Sequence, residues 1–94
     1  MGARRPLEGS FTETWQRSYR ALSLDDQRRC DRAVVAILRG ESTSGLRLKP
    51  ILPQRVYLEA RLNKGDRIVF RIERDLAIFI DIVAHDEISK YGKA

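Results

Sequence analysis

Residues 60–75 read ARLNKGDRIVFRIERD. The apolar side chains Ala60, Leu62, Ile68, Phe70 and Ile72 all fall on even positions, and alternation of period two is the pattern of a β-strand with one buried face. Two such runs flank Asn63-Lys64-Gly65, so the stretch predicts a hairpin. Keeping Leu62 and Ile68 on one face requires paired residue numbers to sum to an even value, which selects a three-residue loop and puts Gly65 where a left-handed residue is expected. In that register Arg61 lies opposite Arg67, Glu59 opposite Val69 and Tyr57 opposite Arg71. Like charges directly across a strand pair disfavour pairing by a few tenths to ~1 kcal/mol unless an anion lies between them. Glu59 and Asp81 are the acids expected to neutralise part of this charge as diagonal neighbours.

Working outward, the pattern begins at Arg55, with Val56 and Leu58 in the even set, and Ile78, Ile80 and Ile82 continue it in a third strand. The N-terminal part has the other periodicity. Ser10-Phe11-Thr12-Glu13 fits a capping box, and Phe11, Trp15, Tyr19 and Leu22 follow at helical spacing. Ser23 restarts the pattern as a second cap, Asp25 and Asp26 suit a helix N-terminus, and Cys30, Ala33, Val34, Ile37 and Leu38 line one face until Gly40. Residues 41–45 form a polar loop, after which Leu46 and Leu48 alternate with Arg47 and Lys49 before two prolines end the segment. The expected architecture is α+β, an N-terminal antiparallel helical hairpin packed on one face of a small antiparallel meander sheet. Ala3 to Leu7 is the only candidate for an additional edge strand at the N-terminus. Trp15 and Cys30 are expected in the core.

Ninety-four residues is the size of one domain, taken here as 1–94. A chain 43% hydrophobic and 33% charged has the composition of a folded soluble domain. Eighteen Lys and Arg against thirteen Asp and Glu give a net charge of +5, which favours polyanionic partners. Cys30 and His85 are the only residues of their types, so no internal disulfide and no Cys/His metal cluster is expected, nor any other cofactor. The longest apolar run, Leu76 to Ile80, is too short to span a bilayer. A reducing, cytoplasmic setting without membrane association is therefore expected. His85-Asp86 lacks the further ligands of a phosphohydrolase metal site, and the chain has no P-loop, dinucleotide-binding glycine pattern or nucleophile elbow.

The chemistry-bearing residues converge at one end of the predicted sheet. His85 follows the third strand and emerges near the arginine pair. A histidine exchanges a proton near neutral pH, and an arginine forks onto phosphate oxygens. Metal-free RNA cleavage needs a group to deprotonate the 2′-hydroxyl, cations at the phosphate and an acid for the leaving oxygen. His85, Arg61, Arg67 and Glu59 are the expected catalytic set, with Lys49 competing with Glu59 as base. On this reading Arg67 lies off the core, and its loss impairs cleavage far more than folding.

The helix pair RRPLEGSFTETWQRSYRALSLDDQRRCDRAV, with YLEARLNKGDRIVFRIERDLAIFIDIVAHDEISKY after it, resembles the RelE/ParE superfamily of bacterial toxin–antitoxin toxins over nearly the whole chain. The resemblance is most specific in EARLNKGDRIVFRI and HDE. It implies an N-terminal edge strand, a cognate antitoxin protein as partner, and one of two activities. RelE-like members cleave mRNA on the ribosome; ParE-like members poison DNA gyrase with the same fold. Arg67 matches the family's phosphate-binding arginine, Arg61 a second strand arginine, and His85 the late catalytic histidine of ribonuclease members. These matches favour a ribosome-dependent mRNA endoribonuclease. The alternatives are a gyrase inhibitor, a non-catalytic nucleic-acid-binding domain, and a toxin fold active only within a larger complex. The expected RNA contacts are Arg47, Lys49, Lys64, Arg71, Lys90 and Tyr91, although Tyr91 lies six positions beyond His85 rather than beside it, as a base-stacking aromatic would.

Overall fold

The computed structural model describes residues 6–41 and 45–93. In chain order the elements are β1 (Glu8–Phe11), α1 (Glu13–Arg20), α2 (Leu24–Leu38), β2 (Lys49–Pro50), β3 (Leu58–Arg61), β4 (Asp66–Glu73), β5 (Leu76–Ala84), a 3-10 turn (His85–Glu87) and α3 (Ser89–Gly92). The strands form one five-stranded sheet in the order β1-β5-β4-β3-β2, with α1 and α2 on one face. The α+β class and helix pair are as expected, but the sheet is mixed: β1 runs parallel to β5, and the other neighbours are antiparallel.

The N-terminal edge strand lies later than expected, at Glu8–Phe11; of the Ala3 to Leu7 candidate, Ala3 to Arg5 fall outside the described residues. Ser10 and Phe11 therefore belong to a strand, not to a capping box. Thr12 is the actual cap of α1, its Oγ1 accepting from the Trp15 amide at 3.0 Å. The physical reason is the open edge of β5, which takes residues 8–11 into its ladder and delays the helix by two residues. Ser23 caps α2 as expected, accepting from the Asp26 amide, and Gly40 follows the helix with φ 72°.

The hairpin register is the predicted one: Leu58, Glu59, Ala60 and Arg61 pair with Phe70, Val69, Ile68 and Arg67. Gly65, however, does not have positive φ. The loop is held instead by Asn63, whose Oδ1 accepts from the Gly65 and Asp66 amides, each at 2.8 Å. The strand also starts later than expected. Val56 is exposed and Tyr57 lies outside the ladder, so Arg71 faces only Ile78. A turn precedes the strand instead, with Arg55 at φ 62° and the Tyr57 carbonyl accepting from the Ile51 amide at 2.9 Å. An additional short strand, β2, pairs Lys49 with Glu59.

The third strand departs most from expectation. The register between β4 and β5 shifts between Val69 and Phe70, leaving Ile80 as the extra residue. Ala77 and Phe79 therefore pack towards the helices, followed by Ile82, while Ile80 and Val83 join the opposite side. Phe79 centres the aromatic part of the core, its ring 5.0 Å from Phe11, 5.1 Å from Trp15 and 5.7 Å from Phe70. The Thr12 hydroxyl donates to the Ile80 carbonyl at 2.7 Å and so satisfies the bulge. Trp15 and Cys30 are buried, as expected. Burial raises the Cys30 thiol pKa to about 12, which makes it a core group rather than a nucleophile.

The sheet face away from α1 and α2 is not an open charged surface. Ile51, Val69, Val83 and Ile88 form a second core there, with Tyr57, Ile80 and Tyr91 packed against it. The cover is the C-terminal segment, which folds back over the sheet through the 3-10 turn and α3. Gly92 is required at its end, because a Cβ would strike the Leu52 carbonyl oxygen. Among the described residues, no helix is long and apolar enough to cross a membrane.

Candidate functional site

The hairpin and the end of β5 bring Arg61, Arg67, Lys64 and His85 to one end of the sheet. Arg61 closes β3 directly opposite Arg67, and Arg67 faces Val83 on its other side. The His85 amide donates to the Gly65 carbonyl at 2.8 Å, which ties the start of the 3-10 turn to the loop carrying Lys64. The imidazole is solvent-exposed there.

Arg67 is more firmly held than an off-core cation would be. Its side chain is 15% exposed, and its Nη1 donates to the carbonyls of Asn63 at 3.0 Å and Asp66 at 2.9 Å. Its Nε stands 3.8 Å from Glu59 Oε1, and the Glu59 side chain is 7% exposed. Among the described residues Nη2 is left without a protein acceptor, so one edge of the guanidinium remains for an anion. Removing Arg67 would strand a buried carboxylate, an effect expected to reach about 3–5 kcal/mol, so its replacement by Ala perturbs folding.

Glu59 therefore acts as the structural counter-ion of Arg67, in line with one of the two expected neutralisations. Asp81 does not perform the other. It is engaged instead by α1 and by its own strand, its Oδ1 accepting from Ser18 Oγ at 2.7 Å and from the Ile82 amide at 2.7 Å. Its Oδ2 accepts from the Tyr91 hydroxyl at 2.8 Å. This carboxylate is nearly buried, and it joins the first helix, the sheet and the C-terminal segment.

Tyr91 thus pins the segment that follows His85. Its ring meets Tyr57 edge-on at 5.7 Å between centroids, and burial followed by the hydrogen bond to Asp81 pushes its hydroxyl pKa upward. Lys90 lies 5.5 Å over that ring and 3.5 Å from Glu87. Arg71 is set apart from the hairpin tip and paired with Glu73 at 2.7 Å. Lys49 and Arg47 are exposed along the β2 side of the sheet, Arg47 with φ 48°.

The sequence reading missed Ser18, the bulge and the role of Asp81 as the junction between them and Tyr91. A signal was present in LAIFIDIVA, residues 76–84: apolar residues on both parities indicate a strand covered on both faces, with Asp81 as the lone acid inside it. Among the described residues, no group of three His, Cys, Asp or Glu side chains could hold a metal ion.

No family model matches the chain, and no curated protein sequence matches it. Solved structures do. A copper-bound variant of a toxin from Helicobacter pylori superposes with a TM-score of 0.76 at 14% identity, covering 86% of this chain and 97% of that one. YafQ from E. coli BL21(DE3) gives 0.74 at 7% identity, covering 87% and 97%. The RelB-RelE antitoxin-toxin complex from Methanococcus jannaschii gives 0.69 at 18% identity, covering 87% and 96%. The chain has the RelE-like fold.

Proposed function

We propose that this domain is the toxin of a toxin–antitoxin module and a metal-independent endoribonuclease that cleaves mRNA on the ribosome. One observation carries the reading: two arginines registered opposite each other, one with a free guanidinium edge, stand at the sheet end that also carries the only histidine. In this mechanism the phosphodiester sits between Arg61 and the free edge of Arg67. Attack of the 2′-oxygen on phosphorus, with its proton passing to solvent water, breaks the bond to the 5′-oxygen, and the arginines stabilise the charge that builds on the non-bridging oxygens. His85 protonates the departing 5′-oxygen. The products are a 2′,3′-cyclic phosphate and a 5′-hydroxyl. Glu59 orients Arg67, while Lys64, Lys49 and Arg47 supply charge along the RNA path. Tyr91 holds the His85 segment in place and does not stack on a base.

The fold also occurs in the antitoxin-toxin complex from Methanococcus jannaschii, which supports an antitoxin partner for this chain. A gyrase inhibitor would have no use for His85, and this separates the readings. Induced expression followed by mapping of transcript ends should give 5′-hydroxyl termini in translated mRNA with the wild type. His85→Gln should lose most cleavage and any rate dependence near neutral pH, and Arg67→Lys, which keeps the charge beside Glu59, should cleave slowly while folding normally. Full cleavage by His85→Gln would refute the assignment, and growth arrest with intact transcripts would favour the gyrase reading.

A further inference from the structure

A groove of about 310 Å³ runs between α2 and the outer edge of β3. Its walls carry Arg29 and Arg32, one turn apart on α2, and Arg61, the same residue that faces Arg67 across the hairpin. Ala33, Ala36 and Gly45 leave room between them. The ladder with β2 ends at Glu59; beyond it, the Arg61 amide is taken up by the Leu46 carbonyl at 2.7 Å, which sets residues 45–46 along the groove.

Most of the charge in this groove is not neutralised by ion pairs. Arg29 has Asp26 at 3.4 Å, in an ion pair whose arginine is about half exposed. Among the described residues, Arg32 and Arg61 have none. Three guanidiniums converging on one channel repel each other unless an anion enters it. The exposed large apolar side chains, Phe11, Leu24, Val35, Leu48, Leu52, Val56 and Ile72, all lie outside the groove, so it offers no anchor pocket of the kind that dominates protein–protein affinity.

The geometry points to a second subsite, in which Arg29 and Arg32 grip the sugar-phosphate backbone of single-stranded RNA flanking the bond held between Arg61 and Arg67. The inference rests on the ribonuclease reading and extends it, with Arg61 as the corner shared by reaction site and groove. RNA that reaches the groove gains contacts that RNA confined to the hairpin tip does not.

The test uses oligoribonucleotides carrying 2′-O-methyl groups, which lack the nucleophile and stay intact, with binding followed by fluorescence anisotropy over a range of salt. The Arg29→Gln/Arg32→Gln variant should bind a long oligonucleotide about tenfold more weakly at low salt and a trinucleotide as well as the wild type does. The slope of log K against log salt should fall by about 1.4 for the long oligonucleotide, two phosphates at about 0.7 each. Arg29→Lys/Arg32→Lys should restore most of that slope, and matching melting curves establish that both variants fold. Equal binding by wild type and the Gln variant, or equal weakening for both lengths, would overturn the subsite while leaving the ribonuclease reading intact. Displacement of the long oligonucleotide by polyglutamate from the wild type but not the Gln variant, with RNA affinity the same in both, would assign the groove to an acidic protein instead. A wild type that binds neither oligonucleotide would likewise overturn the subsite, whereas the ribonuclease reading stands or falls by the transcript-end mapping.

Discussion

Replacing Tyr91 by Phe removes one oxygen from a nearly buried hydrogen-bond junction and leaves the ring in place. The hydroxyl is the partner of Asp81 Oδ2, whereas Oδ1 keeps Ser18 and the Ile82 amide. Stranding one oxygen of a nearly buried carboxylate costs about 1–3 kcal/mol, towards the upper end because the group is charged. The edge-on packing on Tyr57 is retained, so little area burial is lost. For a domain of this length about 2 kcal/mol corresponds to a fall of roughly 8–16 °C in melting midpoint. Alkaline pH provides a second signature. Because folding raises the Tyr91 pKa above its usual value of 10.0, the native state holds this proton more tightly than the unfolded chain. Its contribution is fully present below pH 10 and is lost as pH rises through the folded pKa. Tyr19, raised by its hydrogen bond to Asp31, adds the same trend to both proteins, so the difference between wild type and Tyr91→Phe isolates Tyr91. Urea denaturation at neutral pH and at a series of alkaline values measures both effects. Superimposable curves at every pH would refute the view that this junction pins the C-terminal segment.

Gly92→Ala should release α3, because the new methyl group meets the backbone of Leu52 rather than a side chain that can move aside. Faster amide exchange over 85–93, with core strands still protected, is the expected result; unchanged exchange would show that α3 docks differently. Trp15→Ala should destabilise the domain by about 3–5 kcal/mol, since the indole is buried against Phe79 and Phe11, and a denaturation midpoint near that of wild type would contradict the core described here. Cys30 should resist alkylation in the native state and react only on unfolding, and rapid labelling of native protein would contradict its burial.

Local patterns carried much of this fold. The alternation in residues 60–75 suffices for the hairpin, its three-residue loop and the opposition of Arg61 to Arg67, because strand register is a parity rule that neighbouring residues obey together. Ser23 and Gly40 likewise mark the ends of α2 through chemistry confined to a few residues. Contacts distant in the chain decided the rest. Residues 8–11 have no strong strand pattern and become β1 because β5, nearly seventy positions on, presents an unpaired edge. The extra residue Ile80 in β5 reverses the faces of Phe79 and Ile80 while Ile82 stays on the helix side, and no alternation rule anticipates a bulge whose carbonyl is satisfied by Thr12. Asp81 keeps its expected parity but is taken up by Ser18 and Tyr91, so a residue that reads as a counter-ion becomes the clasp of the C-terminal segment. Residue type told which groups could hold a phosphate or move a proton. Which cations were already neutralised, and that Arg61 also borders a groove with Arg29 and Arg32, followed only from packing α2 beside β3 where its ladder with β2 has ended.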